Sequence, residues 1–161
     1  MVPLRSDWSH DACSIARGVQ AVGDPWVLLI LRELVNGQTR FDALRERLGI
    51  ADNTLAARLK SMTEAGLVTR HPYHDGRRTR YEYQPTEAAK DALPILHAFS
   101  LWAGKHATGD ADREIEIVCR ACGTHSTMGE RCSACGSQLT VATTAWIRPS
   151  STDRTPVPLA G

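Results

Sequence analysis

The chain has 161 residues, with 19 Lys and Arg against 18 Asp and Glu and a formal net charge of +1. That balance excludes a general polyanion binder and an acidic tail protein. With 42% hydrophobic and 23% charged residues, the composition is ordinary for a globular protein and excludes wholesale disorder. No run approaches the roughly 18 apolar residues of a membrane helix, so no membrane partner is expected. The first twenty residues lack an apolar core of signal-peptide length, and the expected compartment is the cytoplasm. In a reducing compartment, five cysteines call for a metal or redox explanation before a disulfide one.

The composition shifts along the chain. Residues 1–106 carry long helical apolar patterns and read as one domain, mainly α with a β-hairpin. Residues 107–112 (ATGDAD) are small and polar and read as a linker. Residues 113–147 are β-branched and rich in Cys and Gly, and read as a second, small β module. Residues 148–161 are rich in Pro, Ser and Thr without apolar periodicity, and are expected to be disordered. The near-neutral total hides a basic segment: residues 70–80 (RHPYHDGRRTR) hold four Arg and one Asp. Such a segment implies a local anion contact.

In chain order, Ile15, Val19 and Val22 form one face of a helix over 12–22, which Gly23 stops. Asp24 caps the next helix and Pro25 opens it. That helix, WVLLILRELVN, is apolar nearly all round and is expected to be central; Asn36-Gly37 ends it. Thr39 is expected to cap a third helix carrying Phe41, Leu44 and Leu48, broken by Gly49. A fourth helix follows, with Leu55, Leu59 and Met62 facing inward and Asn53, Thr54, Ala57, Arg58 and Ser61 on the other face. After Gly66 the period changes to that of two strands joined at Asp75-Gly76. Thr86-Glu87 then opens a long helix, with Leu93, Leu96 and Trp102 on an apolar stripe and Pro94 a point of kinking.

Two short helices joined by a Gly-containing turn and followed by a basic hairpin give the order of a winged helix-turn-helix. A DNA major groove about 12 Å wide admits one α-helix, and an Arg can contact guanine with two hydrogen bonds. Asn53, Thr54 and Arg58 are the candidates for reading bases in double-stranded DNA. Arg77, Arg78 and Arg80 on the hairpin and Arg40 on the third helix are candidates for the backbone or minor groove. Taken alone, such a polar face also fits a solvated surface. The hairpin tips the balance, because Arg-Arg-x-Arg on a tight turn repels itself unless a polyanion relieves it.

The residues then match a known pattern. Cys13, Val22-Gly23, Trp26 with LLILREL, Arg40-Phe41, Leu48-Gly49-Ile50, Leu55, Arg58-Leu59, Gly66-Leu67-Val68, Arg70, Tyr81, Tyr83, Thr86-Glu87 and Leu96 stand in register. Over about half its length the chain resembles the HxlR-type winged-helix transcription regulators. The resemblance implies a homodimer whose terminal helices pack together and whose recognition helices enter successive major grooves. Two positions depart from the family: Asp24-Pro25 replaces Gly-Lys, and Ala51 replaces a capping Ser, leaving Asp52 to take over as cap.

Cys119-x-x-Cys122-Gly and Cys132-x-x-Cys135-Gly have the spacing of a four-thiolate zinc ribbon, one zinc per chain. Gly123 and Gly136 would supply the positive φ that closes each knuckle. Two disulfides, a redox switch or an iron–sulfur site are the competing readings. His125 lies between the knuckles, but four cysteines already complete the shell. The ribbon's role stays open among dimer support, DNA contact, partner docking and metal sensing.

Cys13 stands apart at the start of the first helix. It reads either as a redox-sensing thiol, as in some relatives of this type, or as a small buried hydrophobe. His71 and His74 near the hairpin are too few for a metal site, and Phe99 and Trp102 fit a dimer core. The sequence contains no nucleophile–base pairing, Walker loop or dinucleotide turn, so the chain is not expected to be an enzyme. The expected function is a cytoplasmic, sequence-specific DNA-binding regulator, responsive to a small-molecule effector or to thiol oxidation. The alternative is a zinc-ribbon interaction adaptor without sequence-specific DNA binding.

Overall fold

The computed structural model describes residues 7–107, 114–149 and 152–160. Helix α1 (Ser14–Val22) begins slightly later than its periodicity implies and stops at Gly23, where a Cβ would stand 2.5 Å from the Val19 carbonyl oxygen. Helix α2 (Pro25–Val35) restarts at once because Asp24 caps it. Asp24 Oδ1 accepts the backbone N–H of Trp26 at 2.9 Å and of Val27 at 3.3 Å. Val27, Ile30, Leu31, Leu34 and Val35 are all buried, so α2 takes the central place.

Helix α3 (Phe41–Leu48) and helix α4 (Asp52–Glu64) meet at Gly49, whose φ of 59° turns the chain through the left-handed region. Two expected caps are corrected. Arg40, not Thr39, holds the cap position of α3 and makes no side-chain cap bond, while the Thr39 carbonyl accepts the Tyr83 N–H at 2.7 Å. Ala51 holds the cap position of α4. Asp52 is the first helical residue there, where its charge still favours the helix N-terminus.

Strands β1 (Val68–Asp75) and β2 (Arg78–Pro85) form the antiparallel hairpin. Asp75 pairs with Arg78, so the turn is Gly76-Arg77, one residue later than expected, with Gly76 at φ 63°. The long helix expected after Thr86 is two helices, α5 (Glu87–Lys90) and α6 (Leu93–His106). Pro94 explains the break: it lacks an N–H and fits only the first turn of a helix, so α6 starts just before it.

Beyond the residues expected as a linker, which from 108 lie outside the described residues, comes a four-stranded antiparallel sheet. It holds β3 (Glu116–Cys119), β4 (His125–Ser126), β5 (Thr144–Ile147) and β6 (Val157–Pro158) in the order β4-β3-β5-β6. Disorder of the tail is corrected for residues 152–160. Val157-Pro158 pair with Ala145-Trp146, Leu159 is buried, and the Ala160 N–H reaches the Val35 carbonyl at 2.7 Å. Prolines at 156 and 158 suit an edge strand because neither needs to donate to the ladder.

The main core packs α2, α3, α4 and α5 through Ile30, Leu31, Leu34, Leu44, Leu55, Leu59 and Ala89. Each such Leu or Ile side chain contributes roughly 1.5–3 kcal/mol by leaving water. A second cluster, Val35, Leu93, Val141, Trp146 and Leu159, joins the end of α2 and the start of α6 to the small sheet. The two regions that differ in composition therefore share apolar surface.

A polar contact seals the same junction. His97 of α6, 1% exposed, meets Trp146 of β5: the indole Nε1–H donates to His97 Nε2 at 2.9 Å. An indole nitrogen only donates, so Nε2 carries no proton. Nδ1 therefore donates to the Gly129 carbonyl at 2.7 Å. Burial pushes the His97 pKa down, partly offset by the Gly129 bond. The unfolded chain thus takes up this proton more readily, and the junction's contribution is complete above about pH 6.5, the unfolded value, and is lost progressively as pH falls below it through the lower folded value. Thermal denaturation between pH 7 and pH 5 tests this. The midpoint should fall with pH in the wild type and fall less in His97→Gln, which can keep both bonds without titrating.

Candidate nucleic-acid interface and cysteine cluster

Helix α4 buries Leu55, Leu59 and Met62 and leaves Asn53, Ala57 and Ser61 exposed, with Thr54 half-buried. Asn53 Oδ1 accepts the Thr54 N–H at 2.8 Å, so its amide donors are available at the helix start. Ser61 Oγ is turned back to the Arg58 carbonyl at 2.9 Å. Arg58 also turns inward. Its Nη2 lies 3.1 Å from Asp24 Oδ2, and its Nε is buried without a hydrogen-bond partner among the described residues.

The hairpin arginines divide into two kinds. Arg77 sits in the turn and Arg78 opens β2; both are exposed, and among the described residues neither forms an ion pair with a carboxylate. Arg80 is held, pairing with Asp42 of α3 and, at 3.2 Å, with Asp75. Arg40 lies over the Tyr73 ring at 4.8 Å, and Arg70 lies over the Tyr81 ring at 3.4 Å. These stacks brace the hairpin against α3 and across its own strands. His71 and His74 are exposed. The roles of Tyr73, Tyr81 and Asp42 are not visible in the sequence, because each depends on a partner brought in by tertiary packing.

The four cysteines of the small sheet converge. Their sulfurs all lie within 4.8 Å of one another, with Cys119–Cys135 at 3.8 Å and Cys122–Cys132 at 3.7 Å. A disulfide needs about 2.05 Å, so these are free thiols. A tetrahedron of sulfurs each about 2.3 Å from a central metal has edges of about 3.8 Å, and the two measured separations match it. Each knuckle is built the same way. The Gly123 N–H returns to the Cys119 carbonyl at 2.8 Å and the Gly136 N–H to the Cys132 carbonyl at 2.9 Å, both glycines having positive φ. Backbone N–H groups of Cys135 and Ala134 aimed at Cys132 lower its thiol pKa to about 6. Donors that stabilise a thiolate also favour a metal ligand. The cluster can hold a metal ion. His125 stays outside it, exposed and 2.8 Å from Glu116.

Cys13 is exposed within the single chain, at the cap of α1. Beside it, α1 buries no residue, with Ile15 75% and Val19 49% exposed. Phe99 and Trp102 of α6 are likewise 57% and 61% exposed. No helix is long and apolar enough to cross a membrane among the described residues.

Comparison with known proteins agrees with this architecture. The chain is 35% identical over 137 residues to an uncharacterized HTH-type transcriptional regulator of Mycobacterium bovis, Mb3122, covering 84% of this chain and 86% of that one. It superposes on PA1607, named as a candidate transcription factor, with a TM-score of 0.68 at 27% identity, over 93% of this chain and 96% of that chain. A second candidate transcription factor, PA1374 from Pseudomonas aeruginosa, is 35% identical with a TM-score of 0.53, over 79% and 86% of the two chains. Residues 21–111 match the model of the HxlR-like helix-turn-helix. The chain belongs to the HxlR-like helix-turn-helix family.

Proposed function

We propose that this chain is a sequence-specific, DNA-binding transcriptional regulator acting as a homodimer. One observation carries the reading: a polar helix start, with Asn53 exposed and Thr54 half-buried, is followed in the same fold by a hairpin tip with two exposed arginines, Arg77 and Arg78, that pair with no carboxylate among the described residues. In this reading α4 enters the major groove, Asn53 and Thr54 meet base edges, and Arg77 and Arg78 meet phosphates or the adjacent minor groove. Arg40 and Arg80, already braced by Tyr73 and Asp42, line the backbone beside them.

The uncovered apolar residues of α1 and α6 support the homodimer. An amphipathic helix with no buried residue needs a partner, and a second copy supplies an identical face. Cys13 on α1 would put an exposed thiol at that interface. Oxidising it, or lodging a small-molecule effector there, would change the distance between the two recognition helices.

In this reading the cysteine cluster holds one structural zinc per chain, ligated by Cys119, Cys122, Cys132 and Cys135. A closed four-thiolate shell leaves no position for substrate, and metal binding would supply much of the small sheet's folding energy. That is a scaffold role, and catalysis is no part of the proposal.

Two measurements test these readings. In binding to double-stranded DNA from the region upstream of its own gene, affinity should fall steeply with salt. Arg77→Ala and Arg78→Ala should each reduce the slope of log affinity against log salt by about 0.9. Salt-insensitive binding, or none, would sink the reading. Metal analysis of the purified protein should find one zinc per chain, and a chelator should lower the thermal midpoint. Protein that is metal-free yet equally stable would remove zinc from the account.

A further inference from the structure

We propose that Arg58 is a positioning residue for DNA recognition, acting through Asp24 rather than on a base or phosphate. The inference rests on the DNA-binding reading and deepens it. Arg58 follows Thr54 by one helical turn and shares its face of α4. Its sequence position would make it the obvious guanine reader.

Its surroundings say otherwise. The Arg58 guanidinium reaches Asp24 with Nη2 at 3.1 Å, and Asp24 is 8% exposed. Arg58 Nε is buried without a partner among the described residues, so the inner edge of the guanidinium faces the protein while the side chain as a whole stays one-third exposed. The Asp24 carboxylate spans two helices. Oδ1 caps α2 through Trp26 and Val27, and Oδ2 takes the arginine of α4. A buried carboxylate at a helix N-terminus, joined to a guanidinium, gives up much if either charge is removed alone. The pair therefore fixes α4 against the N-terminus of α2, and with it the angle at which Asn53 and Thr54 are presented.

Positioning and contact differ in what they do to salt dependence and to coupling. The test uses the full-length protein, double-stranded DNA from its own upstream region, and four forms: wild type, Asp24→Asn, Arg58→Met and the double variant. All are measured well below their thermal midpoints, at several salt concentrations, with Arg77→Ala as the contact control. Positioning requires that each single variant weaken binding by about tenfold and that the double variant be no worse than the weaker single. It also requires the wild-type salt slope in all four. Arg58→Lys, which keeps the charge and one donor toward Asp24, should bind between wild type and Arg58→Met, and it replaces the latter if that variant does not fold. Asp24→Ser, which keeps a capping oxygen, does the same for Asp24→Asn.

A salt slope reduced by about 0.9 in the Arg58 variant, with Asp24→Asn binding normally, would make Arg58 a phosphate contact and overturn the proposal. Additive losses in the double variant would overturn it too. Failure of the wild type to bind DNA in a salt-sensitive manner would bring down the DNA-binding reading itself, an outcome separate from either of these.

Discussion

Burial of α2 on more than one face is the constraint on which the other elements depend. A helix written PWVLLILRELV cannot be left at a surface, so the chain must wrap it. Ile30, Leu31 and Leu34 draw in α3 and α4, while Val35 at its end receives Trp146 and Leu159 from the small sheet and the tail. Its two buried acids extend the same logic with charge. Asp24 ties down α4 through Arg58, and Glu33, 2% exposed, gathers Arg32, Arg47 and Arg148 at 2.9, 3.7 and 3.1 Å. The two carboxylates are buried while their arginines keep part of their surface in water, so these contacts fix position more than they add net stability.

The second consequence is that the cysteine-rich sheet is fastened to the rest. Trp146 and His97 close its junction with α6, Arg148 reaches α2, and the Ala160 N–H crosses to Val35. Gly129, whose carbonyl receives His97, lies in the loop between the two knuckles, three residues from Cys132. A metal held by the knuckles, as proposed, would thereby be linked to the helix that carries the exposed Phe99 and Trp102. In the proposed dimer, that helix is part of the contact between copies.

Much of this was legible in the sequence because it is local. Apolar spacing set the helices, Asp24-Pro25 and Gly49 marked their ends, and two Cys-x-x-Cys-Gly knuckles marked the cluster. What escaped depends on partners far apart in the chain. His97 and Trp146 are 49 residues apart, and neither lies in a motif. Asp24 read as a cap, which it is, but nothing local revealed that its second oxygen holds Arg58. The tail reads as disordered because three prolines and several Ser and Thr residues hide one useful apolar side chain, Leu159, that finds a place only once the sheet exists. The cap of α3 falls at Arg40, one residue beyond the Thr39 that local sequence favours, and the Thr39 carbonyl accepts the Tyr83 N–H of the hairpin.

The most direct test of the central claim, that α4 and the hairpin form the DNA-reading face of a two-fold dimer, is a hydroxyl-radical footprint on the protein's own upstream DNA. The account expects two protected segments related by dyad symmetry, their centres about one helical turn or a multiple of it apart, near 10 base pairs per turn. A single protected segment without symmetry would contradict the dimeric arrangement. Uniform protection, or none at protein concentrations well above those of specific binding, would contradict sequence-specific recognition altogether.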